Sequence, residues 1–395
     1  RAVRMAALAG VGLATLWASQ TARAADFAIT VDAGKSVSGN PRFWSACVGT
    51  GTASLTLRPD LQTHYKLGQR ELGFERVRGH GVLNDDMGIY KADGNHDWSK
   101  FDTYLAAIKA AKMVPLMELS FMPKALSSAG NDRNPPKDYA AYQKFIQAVV
   151  QHTVDKMGKE EVSKWYWEVW NEWNYSGFWT GTGDDYNKLY AAAVAGATAA
   201  LPEILIGGPV TTQGSTSQMT SFLNYTKSNN LRVTFLSSHA YCGGEQDTAD
   251  ASFAVSDNDG RVGVITKAGY TTDQIPSFNT EWNSSYSGQG GSTAANVMSM
   301  DTHANAPFII KTVKLLADKT VGDKPVVPIF SYWAMSDVFD EYGGAPSGSY
   351  ILGKTPNGTL PFGSVFGLTT FQGVRKAAFN GFKMLNYLGE KRLGV

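Results

Sequence analysis

Two glutamates stand where apolar runs give way to polar ones. Glu172 follows Asn171 at the end of Trp165-Tyr166-Trp167-Glu168-Val169-Trp170, and Glu281 follows Ile275-Pro276-Ser277-Phe278-Asn279-Thr280. An isolated Asn-Glu pair is most often an ordinary loop, so the reading needs the second carboxylate. A pair can cleave a glycoside. One carboxyl protonates the leaving oxygen, and the other attacks the anomeric carbon, or activates water when the two stand further apart. Glu168 shares the parity of Glu172 but comes four residues earlier. On a strand that finishes at Trp170 it is expected deeper, or turned outward.

The elements needed to bring such distant residues together are legible as a rhythm. Short apolar runs suited to buried parallel strands fall at 43–48, 74–78, 114–119, 165–170, 204–207, 233–237, 275–280 and 327–332. Between and after them, helical spacing recurs near 61–72, 98–112, 137–157, 185–200, 218–228, 253–268, 294–318 and 374–388. Eight strand–helix pairs in strict order predict a (β/α)₈ TIM barrel. An open doubly wound sheet is the alternative, but no GxGxxG follows the first strand. Barrel function collects at the C-terminal strand ends. Those ends carry Gly49, His80, Glu118 with Phe121, Asn171 with Glu172, Pro209, His239 with Tyr241, Glu281 and Trp333.

Composition sets the outer bounds. The 395 residues are 43% hydrophobic and 18% charged, enough for a large core and unlike a disordered chain. A net charge of +1 gives no sign of nucleic acid or another polyanion as partner. The 10 Trp and 17 Tyr suit a sugar binder, and equally a large aromatic core. The six His are scattered, without HExxH or CxxC spacing, so neither metal nor cofactor is expected. Residues 1–24 read as an export signal: Arg1 and Arg4, an apolar run over 5–18, then Ala22-Arg23-Ala24. That run is shorter than the roughly 20 residues of a spanning helix. The expected location is therefore periplasmic or secreted, with no membrane association after cleavage. Cys47 and Cys242 are expected on non-neighbouring strands, hence as free thiols.

The ordered motifs carry a resemblance. They are Arg76-Val77-Arg78-Gly79-His80-Gly81 with Asp85-Asp86-Met87-Gly88, Glu118-Leu119-Ser120-Phe121-Met122-Pro123, and Glu168-Val169-Trp170-Asn171-Glu172. They continue with Ser238-His239-Ala240-Tyr241, Asn279-Thr280-Glu281-Trp282-Asn283, and Tyr332-Trp333 through Ser336-Asp337-Val338-Phe339. In these the chain resembles glycoside hydrolase family 39, whose best-known members are β-xylosidases and α-L-iduronidases. The resemblance implies Glu172 as general acid/base and Glu281 as nucleophile. It implies Asn171 on the sugar 2-hydroxyl, and His239 and Tyr241 lining the subsite of the cleaved sugar, with Tyr241 holding Glu281 ionised. Trp333 would be a stacking floor, His80 and Phe121 would close the pocket, and Asp340 and Glu341 would reach sugar hydroxyls. Asp340 is a methylene shorter than the glutamate expected there.

Family xylosidases carry a β-sandwich built mostly from chain after the barrel. Here residues 25–42 are expected as an N-terminal strand segment, centred on 27–31 and left without partners, and 43–395 as the barrel. Truncation at both ends, or a natural minimal barrel, would each account for this. The expected substrate is an oligosaccharide, most simply a xylooligosaccharide cut from its non-reducing end. An α-L-iduronide, a bacterial exopolysaccharide, and sugar binding without catalysis are the alternatives. Iduronate calls for a cationic clamp, and only Arg78 and Lys124 stand near strand ends.

Overall fold

A computed structural model describes residues 30–242, 250–285, 300, 302–319, 324–339 and 366–394. The first strand, β1 (Asp32–Gly39), lies outside the barrel. Eight parallel strands then close on themselves in chain order. They are β2 (Val48–Thr52), β3 (Arg76–His80), β4 (Val114–Leu119), β5 (Tyr166–Val169), β6 (Leu205–Thr211), β7 (Leu236–Tyr241), β8 (Ser277–Asn283) and β9 (Ile329–Tyr332). The last strand, β10 (Lys391–Gly394), pairs antiparallel with β1, running from Gly39 opposite Lys391 to Asp32 opposite Gly394.

Helices occupy the connections, and local sequence sets their ends. Pro59 starts the helix Pro59–Leu72, and Gly73 closes it at φ 74°. Asp138 accepts from the backbone N–H of Ala140 and Ala141 at the start of Tyr139–Met157. Thr182 and Asp185 form a reciprocal capping box at the head of Gly183–Ala200. The main core lies between strands and helices, where Trp167, Val169, Trp282 and Tyr332 meet Ile146, Phe382 and their neighbours. A separate apolar cluster, Ala46, Cys47, Leu116, Phe235, Phe278 and Ile329, fills the N-terminal end of the tube.

Three expectations are corrected. The run at 43–48 is not the first strand: Phe43–Ser45 forms a 3₁₀ turn and the strand begins at Val48. The strand itself is Val-Gly-Thr-Gly-Thr, small because large rings press on it. A Cβ on Gly49 would sit 2.2 Å from Trp333 Cε3, and one on Gly51 would sit 2.2 Å from Phe339 Cγ. Residues that make room for aromatics carry no hydrophobic signal of their own. The sixth barrel strand likewise sits later than 233–237, at Leu236–Tyr241.

The third correction concerns the N-terminal strand. Positions 27–29 fall outside the described residues, the strand runs over 32–39, and it has a partner in β10. Its sequence, Asp-Ala-Gly-Lys-Ser-Val-Ser-Gly, has no apolar alternation, and its side chains are mostly exposed, so pattern gave no lead. Arg42 fastens this end, donating to the carbonyls of Asn386 and Leu388. The expected helix at 294–318 is described only as Asn305–Ala317, and its first residues and the leader 1–24 lie outside the described residues. Cys47 and Cys242 are free thiols.

Candidate active site

The base of the site is Arg78. It points inward from β3 and is fully buried. Its guanidinium meets Glu118 at 2.7 Å, Glu168 at 2.6 Å and Glu281 at 2.7 Å. It also donates to Asn171 Oδ1 at 3.0 Å. Burial alone would weaken its charge, but the three carboxylates outweigh this and hold the cation more firmly than usual. Glu168 therefore lies deeper in the tube, one of the two placements its parity allows.

Above Arg78 stands His80. Its Nδ1 lies 2.9 Å from Glu118 Oε2, and its Nε2 lies 3.4 Å from Glu281 Oε1. Burial pulls its pKa down, yet Glu118 and Glu281 reverse the sign and raise it above the ordinary histidine value. Burial raises Glu118 in turn, and Arg78 and His80 override that to keep it below the usual carboxylate range.

Glu172 and Glu281 face each other across this floor. One oxygen of each, together with a ring nitrogen of His239, lie within 4.8 Å of one another. Their environments differ. Glu281 accepts from Arg78 and, at 2.7 Å, from the Tyr241 hydroxyl. Among the described residues no such cation lies against Glu172, and burial pushes it up to about 7. His239 Nδ1 lies 2.7 Å from Glu172 Oε1. Burial lowers His239 to about 4, so its ring is neutral. Its Nε2 is buried with no partner among the described residues, which suits the tautomer whose proton sits on Nδ1 and is donated to Glu172. The backbone bends sharply here: Trp170 has φ 74° and Glu172 φ 42°, a left-handed conformation rare outside glycine.

Rings line the walls. Trp333 is buried with its ring 4.6 Å from His80 and 5.5 Å from Phe339. Asn283 Nδ2 donates to the Trp333 carbonyl at 2.6 Å. Phe121 lies 6.0 Å from His80 and stacks on Phe178 at 5.7 Å. Asn171 is buried beside Glu172, and its Nδ2 has no partner among the described residues. Asp340 and Glu341 lie outside the described residues. His80, Phe121, Asn171, Glu172, His239, Tyr241, Glu281 and Trp333 all converge on one mouth.

Sequence reasoning missed the Arg78 hub and the wall residue Phe178. A signal for Arg78 existed: an arginine on a buried strand, sharing parity with His80, requires carboxylate partners, and Glu118 and Glu168 were in view. The atoms of Glu172, His239 and Glu281 are also close enough to meet at a metal ion. Hydrogen bonds tie Glu172 to His239 and Glu281 to Arg78 and Tyr241, and the arginine places a cation where a second would be repelled.

A pair of carboxyls, one neutral and one charge-paired, above a wall of rings is the apparatus of glycoside cleavage. The sequence model of the glycosyl hydrolases family 39 matches residues 27–394. The chain belongs to that family. It is 31% identical over 390 residues to a β-xylosidase of Caldicellulosiruptor saccharolyticus, covering 93% of this chain and 73% of that one. A β-xylosidase of Geobacillus stearothermophilus is 32% identical over 375 residues, covering 89% and 69%. Among solved structures, a monomeric β-xylosidase from Caulobacter crescentus superimposes with a TM-score of 0.78 at 29% identity, covering 92% of this chain and 72% of that one. The family 39 chain described here is thus a glycosidase on a closed (β/α)₈ barrel.

Proposed function

We propose that this enzyme is a retaining β-xylosidase that removes xylose from the non-reducing ends of xylooligosaccharides. The observation that supports retention is that one oxygen of Glu172 lies within 4.8 Å of one oxygen of Glu281, which leaves little room for a water between them. Retaining pairs stand about 5–5.5 Å apart, whereas inverting pairs leave roughly 6.5–9.5 Å for a water. Glu172, raised to about 7, keeps its proton in a large share of molecules at neutral pH and gives it to the leaving oxygen. Glu281, bonded by Arg78 and Tyr241, attacks the anomeric carbon to form a glycosyl-enzyme. Glu172, now ionised, takes a proton from the water that releases the sugar. Asn171 offers its amide N–H to the 2-hydroxyl, His239 and Tyr241 line the subsite, and Trp333 is its floor. His80 and Phe121 close the pocket, with Asp340 and Glu341 assigned to outer hydroxyls.

Support for a neutral sugar comes from the relatives' β-xylosidase activity and from the cations. Arg78 is fully committed to three buried carboxylates, and Lys124 is exposed and 3.9 Å from Asp85. Neither is disposed to clamp a uronate. Export is part of the same proposal, resting on the pattern of residues 1–24. Proton NMR of the first-formed sugar from an aryl β-xyloside tests the reading. β-Xylose should appear first and mutarotate afterwards, and initial α-xylose would overturn retention.

A further inference from the structure

We propose that Tyr175 is the platform on which the departing sugar stacks, a leaving-group subsite built into the loop that carries Glu172. This rests on the glycosidase reading of Glu172 as acid, because the proton donor stands beside the oxygen that joins the two sugars. Whatever leaves must therefore lie just beyond Glu172. The Tyr175 backbone N–H donates to the Glu172 carbonyl at 2.9 Å, closing a turn. Such a turn holds its first and last Cα atoms within about 7 Å.

The ring is fixed as well as near. The Tyr175 carbonyl accepts from Phe178 and Trp179, at 2.9 and 3.1 Å, so the turn runs on into a second one. Gly177 makes room for the ring, since a Cβ there would sit 2.3 Å from Tyr175 Cε1. Phe178 meets the ring edge-on at 5.7 Å. Phe178 in turn stacks on Phe121 and lies 6.0 Å from His80, which also neighbours Trp333. The aromatic wall thus runs without a break from the pocket floor to the rim, and Tyr175 is its last member.

Yet the tyrosine is 52% exposed. The other large apolar side chains exposed among the described residues lie at Val31 and between Val374 and Leu393, in other parts of the chain. A held, half-bare ring at the exit of a sugar pocket fits a pyranose. The axial C–H bonds of a pyranose face are apolar and slightly positive, and the π face of tyrosine is negative.

The test compares two substrates that share the cleaved sugar. Xylobiose and methyl β-xyloside both depend on the acid, but only xylobiose has a leaving sugar. Tyr175→Ala should lower kcat/KM on xylobiose about five- to tenfold, the size of one aromatic contact, and leave methyl β-xyloside unchanged. Tyr175→Trp should keep xylobiose activity within about twofold of the parent. Unchanged activity of Tyr175→Ala on both substrates would overturn the platform. An equal loss on both would overturn it too, since the ring would then only be shaping the Glu172 loop. If the unaltered enzyme cleaves neither substrate, the β-xylosidase reading itself fails, and the platform with it.

Discussion

The same strands build two opposite interiors, one at each end of the barrel. On β4, Leu116 and Glu118 are two residues apart, and on β5 so are Tyr166 and Glu168. That spacing is about 6.6 Å along a strand. Below the step, Phe235 stacks on Phe278 at 4.6 Å and Tyr166 meets Phe278 edge-on at 4.9 Å, beside Cys47, Leu116 and Ile329. Above it, Arg78, His80, Glu118, Glu168 and Glu281 are all buried and bonded to one another. The lower layer is held by burial of area, which is non-directional and tolerates exchange of similar shapes. The upper layer is held by charges taken out of water, each tolerable only while its partners remain. Glu172 stands against this layer, and burial holds its pKa up although His80 and Arg78 pull it down, with a smaller push upward from Glu118.

The sharpest way to break the contrast is to remove the hub. Arg78→Met leaves Glu118, Glu168 and Glu281 without their shared cation. Stability should fall by about 3–5 kcal/mol, the usual result of stripping one partner from a buried ionic group. Urea unfolding measures it, and a loss below about 1 kcal/mol would place the ionic layer in contact with solvent.

Glu172→Gln gives the next largest effect, and its size depends on pH. Burial pushes the folded carboxyl up to about 7 from its ordinary value of 4.5, so the folded state binds the proton more tightly. Stability from this group is complete below about pH 4.5 and is lost as pH rises towards 7, by at most about 3 kcal/mol. The amide has no such loss. Glu172→Gln should therefore match the parent at pH 4.5 and be more stable at pH 8. Equal denaturation midpoints at pH 8 would mean that Glu172 ionises freely.

Leu116→Met in the lower layer should do least. The exchange nearly conserves volume, so it should cost under about 1.5 kcal/mol and leave kcat/KM unchanged. Inactivation with retained stability would show that the two layers are mechanically coupled.

The comparison also explains what could be read from the chain. Strands β4 and β5 were legible to within a residue or so because both of their faces are buried and their runs are nearly continuously apolar. Strand β2 was displaced because Gly49 and Gly51 serve Trp333 and Phe339 and carry no pattern. Strand β10 was missed because Lys-Arg-Leu-Gly is short and its partner β1 is nearly 360 residues away in the chain. The mouth residues were legible as strand ends. Their electrostatics were not, because the neutrality of Glu172 and the pairing of Arg78 depend on which side chains meet across the tube.

The central claim is the division of labour between Glu172 and Glu281, and azide tests it most directly. A dinitrophenyl β-xyloside needs no acid to lose its leaving group. On it, Glu172→Ala should keep much of its first step and accumulate a glycosyl-enzyme, while its kcat on xylobiose falls on the order of 10²–10⁴-fold. Azide needs no deprotonation, so it should release that intermediate as the β-xylosyl azide. Glu281→Ala has no nucleophile and should fail on both substrates, and azide attacking directly from the opposite face should give the α-azide. The β-azide from Glu172→Ala and the α-azide from Glu281→Ala are the predicted pair. The reverse pair, or losses no greater than about tenfold in either variant, would contradict it.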